Sequence, residues 1–77
     1  MKEYIIKIQV KVDGKWKTGY HENILNQTVK WAVNMYVEDI TIYKRKAKKF
    51  LDKKEAENIA KMFSDKFQTA KIITLPK

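Results

Sequence analysis

The sequence predicts an α+β domain: a mostly antiparallel sheet that opens with a β-hairpin, one main helix over about residues 52–67 packed on one sheet face, and a C-terminal strand. Three observations carry this. Tyr4, Ile6, Ile8, Val10 and Val12 alternate with Lys7, Gln9 and Lys11 and run into Asp13-Gly14. A capped amphipathic run begins at Asp52, and a second short apolar run, Ala70 to Leu75, stops at Pro76.

The alternation from Tyr4 to Val12 has the period of two expected of a half-buried strand, and Ile5, which breaks it, is expected at the sheet's rim. Asp-Gly accommodates positive φ at both turn positions, so the chain should reverse there and return through Trp16, Thr18 and Tyr20, with Lys15 and Lys17 facing the other way. Gly19 is expected to mark a bulge or the end of pairing, and residues 21–27 to form a connection. Residues 28–37 fit two patterns. Val29, Trp31, Val33, Met35 and Val37 make a strand, whereas Leu25, Val29, Ala32, Val33 and Tyr36 make a helical stripe; the β-branched and aromatic content favours the strand. Glu38-Asp39 would then turn the chain into a short strand, Ile40 to Tyr43.

The helix has a start signal. Asp52 suits an N-cap, Glu55 completes a capping box, and Leu51 and Ala56 stand where a hydrophobic staple would close. Ala56, Ile59, Ala60, Phe63 and Phe67 then recur on one face, with Lys54, Glu57, Asn58, Lys61, Ser64 and Asp65 mostly opposite. Pro76, which has no N–H to give a ladder, ends the last strand.

A chain of 77 residues holds a single small domain, residues 1–77, with one core. Without cysteine it has no disulfide, thiolate metal site or cysteine nucleophile. The first residues lack the apolar run of a signal peptide and no stretch is long enough to cross a bilayer, so a cytoplasmic, non-membrane protein is expected. His21, the only histidine, falls in the expected connection and reads as a solvated side chain; Glu38-Asp39 and Glu55/Glu57 suit a turn and a helix start. No catalytic residues, metal ligands or cofactor are assigned, and enzyme activity is not expected.

Charge is the stronger signal. Of a net +8, residues 44–54 carry +6: Lys44, Arg45, Lys46, Lys48, Lys49, Lys53 and Lys54 against Asp52. Such a concentration attracts polyanions, although lysines also serve as a solvated surface. With six Lys to one Arg it suits contact with phosphate backbones better than readout of base edges. The candidate nucleic-acid-binding residues are Lys44, Arg45, Lys46, Lys48 and Lys49, with Lys15 and Lys17 as a second patch. Trp16 and Trp31 are expected in the core facing the helix, which would leave Lys15 and Lys17 on an outer basic face; stacking on a ligand is the other reading of these tryptophans.

Across Ala47-Lys-Lys-Phe50-x-Asp52-Lys-Lys-Glu55-Ala56-Glu-Asn-Ile-Ala60 the chain resembles small, mostly uncharacterised bacteriophage and prophage proteins of Gram-positive hosts, which pair an initial hairpin with such a helix entry and a final strand. Asp13-Gly14-Lys15-Trp16 and the stretch Lys48 to Ala56 are similar, more locally, to the arm-type DNA-binding domain of tyrosine integrases. The resemblances imply a phage-type protein of the host cytoplasm and, for the integrase arm domain, a sheet face that enters the DNA major groove; with the charge they lead to the expectation of an accessory protein that binds DNA or RNA through its basic segment. The alternative is a protein-binding modulator or inhibitor of a host enzyme or defence complex. The oligomeric state is left open.

Overall fold

The computed structural model of the chain describes residues 2–29, 32–64 and 68–76, and of residues 25–29 and 32–37 the backbone. The elements are β1 (Glu3–Val12), β2 (Lys15–Val29), β3 (Ala32–Thr41), a 3-10 turn at Lys44–Lys46, α1 (Lys53–Phe63) and β4 (Gln68–Leu75). The strands form one antiparallel sheet in the order β3-β2-β1-β4, with α1 packed over β1 and β4. This is the α+β arrangement expected. No helix among the described residues is long and apolar enough to cross a membrane.

The first hairpin forms as its turn chemistry dictates: Asp13 and Gly14 take φ of 51° and 77°, and Val12 pairs with Lys15. Ile6 and Ile8 of β1 join Phe50, Ala56 and Ala60 in the buried cluster, with Tyr4, Val10, Ile59, Ala70 and Ile72 packed against it. The two alanines are the helix's buried residues, so its backbone can approach the sheet closely. Ile5, on the opposite pleat, is fully buried rather than at a rim.

Three expectations about β2 and β3 are corrected. Residues 21–27 are no connection: β2 continues through them, and the register slips between His21 and Asn23 so that Glu22 has no pairing partner there. Gly19 does not end pairing but sits opposite Ile8, where a Cβ would lie 2.5 Å from Ile40 Cγ2. Glu38-Asp39 is no turn, since both residues pair within β3, which ends at Thr41. Segment 28–37 is extended, as favoured, but divided: Val29 closes β2 opposite Ala32 of β3.

The helix begins as read, with Asp52 Oδ1 accepting from Lys54 N at 2.9 Å. Leu51 is 63% exposed, so the staple with Ala56 does not form; the neighbouring Phe50 is buried with Ala56 instead. The helix also ends earlier than expected, at Phe63. Ser64 turns extended and its hydroxyl donates to Ala60 O and accepts from Ala70 N, drawing the chain off the helix axis toward β4. The expected core position of Trp31 and the places of Asp65 and Phe67 on the helix lie outside the described residues.

Two features position the rest. Past the Lys7–Tyr20 pair, β2 leaves β1, and the segment before α1 enters the fork. Phe50 exchanges two backbone hydrogen bonds of 2.8 Å with Tyr4 of β1, while Lys48 N donates to His21 O of β2 at 2.9 Å. The sheet is also strongly coiled. In a flat sheet β3 and β4 would stand three strand spacings, about 14 Å, apart. Here Gln68 Nε2 on β4 donates to Glu38 Oε2 on β3 at 2.7 Å, and to Phe63 O at the helix end at 2.7 Å.

Candidate nucleic-acid interface

The basic segment is built on two small anchors. Ala47 and Phe50 are buried, and between and before them Lys44, Arg45, Lys46, Lys48 and Lys49 are all exposed. The 3-10 turn gathers the first three cations: Lys46 N bonds to Tyr43 O at 3.0 Å and Ala47 N to Lys44 O at 3.1 Å. The crowding is relieved by the electron-rich face of Tyr43, with Arg45 Cζ 5.1 Å and Lys46 Nζ 5.3 Å from its ring centroid. Lys48 Nζ stands 5.3 Å from the centroid of Phe50. Lys53 and Lys54 follow in the first turn of α1, at the positive end of its dipole. The backbone of this exposed basic ridge is held in the fork between β1 and β2 through the bonds of Phe50 to Tyr4 and of Lys48 to His21.

Lys15 and Lys17 do not join it. Both are exposed, but Lys17 lies about 13 Å along β2 from His21, where the ridge is bonded to the sheet. Their face is also the reverse of that expected. Cross-strand partners share a face, and Lys17 pairs with Val10 and Lys15 with Val12, so the lysines stand on the helix side; Trp16 pairs with Lys11 on the other side and is 51% exposed. The expectation that Trp16 is core is thus corrected. The signal was present in the sequence: a two-residue Asp-Gly turn sets Val12 opposite Lys15, and that register already places Trp16 across from Lys11.

His21 is the second correction. It is not a solvated loop side chain but a fully buried one, stacked against Phe50 with centroids 6.0 Å apart and tilted against Phe63 at 6.2 Å. Its Nδ1 lies 3.0 Å from Glu38 Oε1, so Nδ1 carries a proton that the carboxylate accepts, while Nε2 has no hydrogen-bond partner within the protein. With Gln68 on the other carboxylate oxygen, a polar chain of His21, Glu38 and Gln68 runs through the coiled sheet. The side chains of His21 and Glu38 are 0% and 5% exposed, which encloses this pair away from any dissolved substrate. Among the described residues no group of three or more His, Cys, Asp or Glu side chains could hold a metal ion.

No protein-family model matches this chain, and neither a curated protein nor a solved structure is significantly similar to it.

Proposed function

We propose that this is a small, phage-type accessory protein of the cytoplasm, non-enzymatic, that binds nucleic acid through Lys44, Arg45, Lys46, Lys48 and Lys49, mainly by contact with phosphates. The observation that carries this reading is the exposure of all five cations on a stretch held by buried Ala47 and Phe50. A solubility surface mixes both signs. Here one sign dominates a fixed ridge, and Lys53 and Lys54 occupy the helix end at which cations are unfavourable by about 0.3–1 kcal/mol each. Enclosure of the His21–Glu38 pair supports the non-enzymatic part.

The test is duplex DNA binding against salt. Five phosphate contacts give a slope of log K on log salt of about −4.5, or roughly a 500-fold loss between about 50 and 200 mM. The variant K44Q/R45Q/K46Q/K48Q/K49Q should lose the binding and its salt dependence together. Binding that is absent at the lower salt, or unchanged in this variant, removes the reading. The alternative, a modulator of a host protein, draws support from the outermost strands β3 and β4, whose outward backbone groups suit strand addition. It predicts a partner complex that survives nuclease treatment and the charge substitutions.

A further inference from the structure

The sheet face turned away from α1 carries a second basic surface of different chemistry. Its residues fall in cross-strand rows: Tyr20, Lys7 and Lys71; then Thr18, Gln9 and Thr69; then Trp16 beside Lys11. Trp16 is half exposed, and Lys11, Thr18 and Lys71 are exposed with it. Beside the indole lies a concavity of about 270 Å³ lined by Gln9, Trp16, Thr69 and Lys71. The acids of this region stand at its rim, Asp13 in the turn and Glu3 at the far end of β1.

We infer that this face binds single-stranded nucleic acid, with an unpaired base stacked on Trp16 and the flanking phosphates held by Lys71, Lys11 and Lys7. The inference rests on the protein being a nucleic-acid binder and adds the kind of strand and a second site. An aromatic ring beside ammonium groups matches a flat base carried on an anionic backbone. The size of the concavity suits one ring system rather than a larger ligand. Of its lining, the Gln9 amide and Thr69 hydroxyl can each donate and accept, so they suit the hydrogen-bonding edge of a base. In a duplex those edges are paired and the base faces stacked on each other, so only an unpaired base can present both. Lys71 lies two strands across the sheet from Trp16 and four residues along it, about 16 Å by backbone, and the two side chains line the same concavity, so a strand would cross β2, β1 and β4 obliquely. Tyr20, about 13 Å along β2 from Trp16, offers a second, half-buried ring.

The test compares three labelled probes of about 12 units, the length of one small binding face: oligo(dT), an abasic strand of equal charge, and a duplex. The proteins are the wild type, Trp16→Leu, Trp16→Phe and the five-site ridge variant. Because Trp16 packs in no core, its substitution leaves the fold intact, which the unchanged duplex affinity of Trp16→Leu itself reports. Wild type should bind oligo(dT) more tightly than the abasic strand. Trp16→Leu should weaken oligo(dT) on the order of 10-fold or more, in line with the loss of one stacked base, and Trp16→Phe should recover most of it. Duplex and abasic affinities should stay within about twofold, since phosphate contact alone carries them. If Trp16→Leu binds oligo(dT) like the wild type, or weakens all three probes equally, the inference is overturned. The ridge variant separates the two sites. If it keeps full duplex affinity, the ridge is not the phosphate site, whereas a selective loss on oligo(dT) in Trp16→Leu would still establish the stacking face.

Discussion

Gly19→Ala tests the register on which both faces of the sheet depend. A Cβ built on Gly19 lies 2.5 Å from Ile40 Cγ2 and 3.3 Å from Thr41 O, while carbon atoms in contact stand about 3.5–4.0 Å apart. Ile40 must therefore retreat by about 1 Å or more, and Cγ2 belongs to a β-branched side chain that is stiff at χ1. The backbone carbonyl blocks movement of the new methyl toward Thr41. Alanine in a strand interior is otherwise about 0.5–1 kcal/mol better than glycine, and overpacking costs about 1–3 kcal/mol, so the clash should leave a net loss near 1–2 kcal/mol. For a domain of this size that is a drop in Tm of about 5–15 °C. Urea melts of Gly19→Ala, Ile40→Ala and the double variant give the coupling directly. Removing Cγ2 should relieve the clash, so that the double variant is more stable than additivity predicts by about 1–2 kcal/mol. Wild-type stability in Gly19→Ala, or strict additivity, would mean that β2 and β3 do not approach each other as described.

Three further perturbations probe the interior and the helix entry. Glu38→Gln sets a new amide N–H against either His21 Nδ1–H or Gln68 Nε2, donor facing donor, and should cost about 1–3 kcal/mol by denaturant melts. Phe50→Ala removes the ring between His21 and the helix and should cost about 3–5 kcal/mol, read as lost Tm and as premature loss of near-ultraviolet dichroism. Asp52→Ala removes the bond to Lys54 N and should cost about 1 kcal/mol, while Asp52→Asn, which keeps a capping oxygen, should cost a few tenths; thermal melts of the two separate capping from charge.

What was legible in the sequence is what local chemistry decides. Asp13-Gly14 dictates its own turn, Asp52 its own cap, and the spacing of Ala56, Ile59, Ala60 and Phe63 its own buried stripe. The course of residues 21–27 was not legible, because His-Glu-Asn-Ile-Leu-Asn-Gln shows no alternation. Those residues are extended only because β3 lies beside them, and the slip at Glu22 shifts their parity. His21 was hidden for the same reason, since the Phe50, Phe63 and Glu38 that surround it come from three distant stretches. The cationic ridge could be read from composition, but its attachment to the fork of β1 and β2 could not. Trp16 was misplaced because its size argued for burial more loudly than the turn register argued for exposure.

The two hydrogens of the Gln68 amide have a consequence for how the molecule breathes. One is committed to β3 and the other to the last carbonyl of α1, although these elements belong to opposite edges of the sheet and to its covering layer. Fraying of the helix end or detachment of β3 would each break one of these two bonds. Partial openings are thereby raised in free energy toward the global one, and native-state hydrogen exchange should find the amides around Phe63, Ala70 and Glu38 released together as one cooperative unit.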